Sequence, residues 1–167
     1  MFNKIPNHLK NYLFPNIGTL NKNYLYLQFT SMKIVPAFYI IVKNIINKKI
    51  KKNTIVIESS SGNFAYGLAL ICNYFKIKLI IIGDKGIDHD LKNKLKLLNT
   101  KVLIVGNSSV KNIQSLRLSV LKKKLRVNKN SFWPKQYDNP DNIKSYKILK
   151  NFLLKNINLK KIDILIS

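Results

Sequence analysis

Short apolar runs alternate along this chain with longer stretches in which apolar residues return every three or four positions. Residues 54–57 (Thr-Ile-Val-Ile), 78–82 (Lys-Leu-Ile-Ile-Ile) and 101–105 (Lys-Val-Leu-Ile-Val) are rich in β-branched residues and show no polar alternation. That pattern predicts strands buried on both faces. A helical period follows each run. Ala65, Leu68, Ala69 and Cys72 recur within residues 63–75, and Leu91, Leu95 and Leu98 within 90–98. Ile113, Leu116, Val120 and Leu121 do so within 110–125. Strands alternating with helices imply right-handed crossovers and a parallel sheet covered on both faces. The expected fold class is therefore α/β, with three layers in αβα order. The strands through Ile55, Ile80 and Val102 should lie parallel and adjacent.

The flanking segments are less regular. Residues 1–23 are polar and punctuated by Pro6, Pro15 and Gly18, and read as an arm with one short helix. Residues 24–28 predict a strand, and 29–32 a turn into a helix that runs to about residue 46. Pro36 fits the first turn of that helix, where its missing N–H costs nothing. Residues 48–52 form a basic, solvated connection. An aromatic segment at 131–134 precedes a polar loop at 136–142 and a helix over 143–157 with Tyr146, Leu149, Phe152 and Leu153 on one face. Trp133 and Tyr137 read as core aromatics. A last strand is expected at 162–166.

Composition narrows the function classes. At 167 residues and 46% hydrophobic the chain can bury a real core. Its formal net charge of +23 invites a nucleic-acid reading. However, the basic residues are nearly all Lys, with Arg only at positions 117 and 126, and Lys is dispersed through every segment beside abundant Asn, Ile, Tyr and Phe. Those residues share A/T-rich codons, so nucleotide bias explains the charge more simply than phosphate recognition, for which Arg is favoured. No specific nucleic-acid partner is expected. Cys72 is the single cysteine, which excludes an intrachain disulfide, and its apolar helix face makes it a core residue. His8 and His89 lie far apart with no Cys grouped around either, so no metal site is expected. No apolar run suggests a membrane span and no signal-peptide core opens the chain, which leaves a cytoplasmic protein as the expectation.

The chemistry concentrates at three places. Ser59-Ser60-Ser61-Gly62-Asn63 separates a strand from a helix, and a helix starting there aims free backbone N–H groups at the turn, an anion site supplemented by hydroxyl and amide donors. Ser31-Met32-Lys33 opens another helix. Gln136-Tyr137-Asp138-Asn139-Pro140-Asp141-Asn142 forms the polar loop. Each alone is an ordinary turn or, for Lys33, an ordinary surface lysine. In this order, on an alternating βα pattern, they resemble the pyridoxal-phosphate-dependent β-substitution family that includes cysteine synthase and cystathionine β-synthase. Within it the likeness is strongest to synthases that join O-phosphoserine to glutamate for 2,3-diaminopropionate, at residues 31–41, 57–63 and 132–137.

The resemblance implies the N-terminal half of the tryptophan synthase β-subunit-like, fold type II architecture. Residues 1–50 would be an arm and the first part of a large domain, 51–130 a small α/β domain, and 131–167 a truncated return to the large domain. The cofactor would be pyridoxal 5'-phosphate, held by Lys33 through its aldehyde and contacted by Asn63. Lys33 would also act as the catalytic base, and Phe29, Met32 and Val35 would shield it. Ser60, Ser61, Gly62, Asn63 and Gln136 would bind a small amino-acid substrate. The implied reaction is β-replacement on O-phospho- or O-acetylserine. The glycine-rich phosphate loop expected beyond residue 166 is absent, which suggests a truncated or split enzyme acting as a homodimer or with a complementing second chain. The alternative is a non-catalytic remnant or subunit that binds a partner chain.

Overall fold

The computed structural model describes residues 5–22, 24–106, 112–158 and 162. The elements run α1 (Asn7–Leu13), β1 (Asn16–Asn21), β2 (Tyr24–Gln28), α2 (Ile34–Ile46), β3 (Ile55–Ser59) and α3 (Asn63–Tyr74). They continue β4 (Lys78–Asp84), α4 (His89–Leu97), β5 (Lys101–Val105), α5 (Ile113–Val127), β6 (Ser131–Phe132) and α6 (Asp141–Asn156). Four strands form one sheet in the order β5-β4-β3-β6. All its pairings are parallel, with Ile55 opposite Lys78, Ile80 opposite Lys101 and Ile55 opposite Ser131. The expected parallel neighbourhood of Ile55, Ile80 and Val102 is thus observed.

Strand alternation divides the core in two. Val56, Leu79 and Ile81 pack with α2, α3 and Leu95 of α4 in the larger cluster. Ile57 and Ile82 pack with Leu121 of α5, with Ile55, Ile80 and Leu103 beside them. The sheet is therefore covered on both faces, as its apolar runs require. Cys72 lies inside the larger cluster, and burial pushes its thiol pKa up, so it is an inert core residue.

Two strands were not expected. Residues 16–21 read as part of an arm, yet β1 pairs antiparallel with β2 in a separate two-stranded sheet. β1 is largely exposed, so it has no apolar face that would betray it, whereas its partner β2 is the strand expected at residues 24–28. The pairing is compact at Gly18, where a Cβ would lie 2.4 Å from the Tyr26 ring. The aromatic segment supplies β6, whose two residues add to the free edge of β3. The expected helix over 110–125 is observed at Ile113–Val127, and residues 110–111 lie outside the described residues. The strand expected at 162–166 also lies outside them, apart from Ile162.

α2 and α3 cross where α3 carries Gly67. A Cβ at that position would lie 3.0 Å from the Ile34 Cα and 3.1 Å from the Lys33 carbonyl oxygen. The missing side chain lets the first turn of α2 rest directly on α3. We therefore expect Gly67→Val to lower stability by about 1–3 kcal/mol through overpacking, read as a fall in the urea midpoint. The substitution should disturb the backbone around Lys33 first.

Candidate active site

In a parallel α/β sheet, residues that follow the carboxyl ends of the strands share one edge. Three such segments matter here: the turn after β3, the loop after β6, and the end of β4 with α5 behind it. The start of α2 meets them through its packing on α3.

Ser31 sets up the α2 start. Its hydroxyl accepts the Lys33 N–H at 3.2 Å, and its carbonyl accepts the Ile34 N–H at 3.2 Å. Helical geometry then sends Ile34, Val35, Ala37 and Phe38 into the core and leaves Met32 and Lys33 outside. The turn after β3 ends on Gly62, the N-cap of α3, and among the described residues no side chain caps that helix. Its first N–H groups are therefore offered to whatever occupies the turn.

Lys33, Ser60, Ser61, Gly62, Asn63, Phe64, Arg117, Gln136 and Tyr137 line one open cleft of about 350 Å³. Every residue expected to bind cofactor or substrate is on this wall. Ser60 and Gln136 are buried, whereas Lys33, Gly62 and Asn63 are exposed. A second cleft, about 430 Å³, shares Ser61, Gly62 and Asn63 and extends to Tyr66, Asp88 and Lys94. The expected shielding of Lys33 is not observed. Val35 is turned inward, Met32 is 46% exposed, and Phe29 is only half-buried. Tyr137 is exposed at the cleft rather than placed in the core.

Two buried charges organise the wall, and the sequence reading passed over both. Arg117 of α5 donates from one guanidinium nitrogen to Asp84 Oδ2 at 2.7 Å and to the Ser61 hydroxyl at 2.9 Å. Its Nε is buried and has no partner among the described residues. Glu58 of β3 is 3% exposed, and its Oε1 accepts the Ser59 N–H at 2.8 Å and the Trp133 indole N–H at 3.0 Å. Its Oε2 accepts the Gln136 N–H at 3.2 Å. Trp133 is therefore a polar anchor as well as a packed aromatic. The available signals were compositional: Glu58 is the only glutamate in the chain and Arg117 one of two arginines.

The loop after β6 is wired along its length. Asn142 Nδ2 donates to the Gln136 carbonyl at 2.8 Å, Asn139 Nδ2 to the Pro134 carbonyl at 2.8 Å, and the Asp141 N–H to Asn139 Oδ1 at 3.0 Å. Asp141 in turn accepts two hydrogen bonds of 2.7 Å from Lys43 of α2.

A parallel αβα sheet with a lysine, an uncapped helix start and a glutamine at its carboxyl edge is the arrangement expected of the N-terminal half of the fold type II architecture. The family comparison is direct: residues 19–166 match the family described as pyridoxal-phosphate dependent enzyme, and the chain belongs to that family. N-(2-amino-2-carboxyethyl)-L-glutamate synthase of Cupriavidus metallidurans is 32% identical over 120 residues, which is 70% of this chain and 34% of that protein. The synthase of the same name from Ralstonia nicotianae is 30% identical over 120 residues, 70% of this chain and 35% of its own length. The chain thus spans about a third of these relatives. Among solved structures, a hydrogen sulfide-producing enzyme from Fusobacterium nucleatum superposes with a TM-score of 0.77 at 21% identity, over 92% of this chain and 54% of that one. Cysteine synthase from Entamoeba histolytica gives 0.76 at 17% identity, over 92% and 50%. These two likenesses establish the fold.

Pyridoxal phosphate is the family's cofactor, and the donor set of the cleft suits it. A primary amine, two side-chain amides and three hydroxyls line the same space as the free N–H groups of α3. Among the described residues no helix is long and apolar enough to cross a membrane, and no group of three metal-ligating side chains occurs.

Burial raises the Glu58 pKa above the ordinary carboxylate value of 4.5, against the pull of its N–H donors. With a raised folded pKa, the Glu58 contribution to stability is fully present below 4.5 and is lost as pH rises through the folded value. Urea midpoints across pH should therefore show wild type losing stability relative to Glu58→Gln as pH rises from 4.5 through the folded value, and no further loss beyond it. A pH-independent difference between the two proteins would contradict this.

Proposed function

We propose that the protein carrying this chain catalyses β-replacement on an activated serine, O-phospho- or O-acetylserine, in amino-acid biosynthesis. The observation that carries the reading is the single cleft shared by Lys33, the 60–63 turn and Gln136. The bound cofactor supplies an electron sink for charge developing at the substrate α-carbon. Lys33 would hold the cofactor through Nζ, and the same amine would serve as the base for the substrate α-proton. Asn63 would contact the cofactor. Ser60, Ser61, Gly62 and the α3 N-terminus receive the substrate carboxylate, and Gln136 steadies it. The relatives named N-(2-amino-2-carboxyethyl)-L-glutamate synthase support an amino-acid acceptor.

A second polypeptide surface is part of this proposal. Leu20, Tyr24, Leu25 and Tyr26 of the β1–β2 hairpin are all exposed. These exposed apolar side chains favour contact with a second copy or a complementing chain, and they are also the observation that favours the alternative reading of a non-catalytic binding subunit. The two readings diverge at Lys33. Treating the protein with pyridoxal phosphate and borohydride, followed by peptide mapping, should place the pyridoxyl label predominantly on Lys33. Lys33→Ala should remove that label and reduce any β-replacement activity by at least about a thousandfold, the scale on which an essential catalytic group acts. Label distributed over the many lysines in proportion to exposure would reject the enzymatic reading.

A further inference from the structure

We propose that Glu58 is a positioning residue for Gln136, its buried carboxylate accepting the Trp133 indole N–H and the Gln136 backbone N–H and so holding Gln136 at the cleft wall. The importance of that placement rests on the functional reading above; the placement itself rests on geometry.

An apolar side chain would suit position 58, because β3 is buried along most of its length and a carboxylate there loses its hydration. Glu58 instead receives donors from two directions. Ser59 donates from its own strand. Trp133 and Gln136 donate from the segment that follows β6. The backbone of that segment is shaped for the purpose. Lys135 has φ of 56°, the left-handed region that a residue with a Cβ seldom enters. The Gln136 N–H that follows it turns toward the carboxylate, as backbone N–H groups do in concavities that bind anions. Here the anion is the chain's own Glu58. The Gln136 carbonyl is held from its other side by Asn142. Gln136 is therefore clasped at both backbone polar groups, and its side chain contributes to the cleft lining. β6 pairs with β3 through only two residues, so the ladder alone places residues 133–136 loosely.

The chain contains a single tryptophan, so the Trp133 indole N–H gives one unambiguous nitrogen-15 NMR signal. In the whole chain, hydrogen exchange at the Trp133 indole and the Gln136 amide should be slow. Glu58→Gln replaces an acceptor oxygen with an NH₂ group and should speed both by on the order of tenfold, with the β3–β4 ladder amides unchanged. With pyridoxal phosphate present, O-phospho-L-serine should shift the amides of residues 61–64, with about tenfold weaker affinity in Glu58→Gln. Trp133→Phe, which leaves the bond to Gln136 intact, should retain most of the affinity. Unchanged exchange in Glu58→Gln overturns the proposal, as does faster exchange that spreads to the β3–β4 ladder. Unchanged affinity in Glu58→Gln where Gln136→Ala weakens binding also overturns it. If the wild-type chain shows no response to O-phospho-L-serine, the functional reading fails, and the exchange data decide the role of Glu58 on their own.

Discussion

The parallel hydrogen bonding of β3 between β4 and β6 is the constraint on which the rest depends. Parallel strands deliver all their following turns to the same edge. Because β3 is central, the 59–63 turn has the end of β4 on one side and the aromatic segment after β6 on the other. Each neighbour contributes one buried charged contact to that edge: Arg117–Asp84 beside β4, and Glu58 with Trp133 and Gln136 beside β6. The start of α2 arrives by a different route, through its packing against Gly67 of α3. Lys33 thus owes its place to the absence of a side chain in another helix.

These polar contacts connect elements that apolar packing alone would leave free to slide. Lys43–Asp141 ties α2 to α6, and Arg117–Ser61 ties α5 to the turn before α3. Partly buried pairs of this kind contribute little net stability compared with apolar replacements, although breaking one partner away is costly. Their benefit here is registration. The cleft is built from four segments remote in sequence, and each is fixed to a neighbour by at least one hydrogen bond with defined geometry.

Much of this was legible in the residues. The β-branched runs at 55, 80 and 102 could be buried only in a parallel sheet, and the Ser-rich turn before an apolar helix marked an anion site. Lys33, Ser60, Ser61, Gly62, Asn63 and Gln136 were legible only as an ordered set of motifs, since none has a distinctive local environment in sequence. β1 was not legible, because a solvent-exposed hairpin strand has no apolar face to reveal its period. Nor was β6, which is too short to carry a pattern and depends on the free edge of β3. The exposure of Lys33 was missed because sequence neighbours are not spatial ones: the helix turns Val35 inward, so it cannot cover the lysine. Glu58 and Arg117 were missed because their partners are 75 and 33 positions away in the chain.

The central claim is that residues 33, 60–63 and 136 form one site for an anionic cofactor and substrate. It is tested most directly by a nitrogen-15 NMR titration of the chain with pyridoxal phosphate, mapping which amides respond. The account predicts saturable shifts concentrated at residues 33, 60–65 and 136–137, all around the cleft at the carboxyl edge of the sheet. Shifts centred on the basic connection at residues 48–52, or scattered over exposed lysines without saturation, would contradict it.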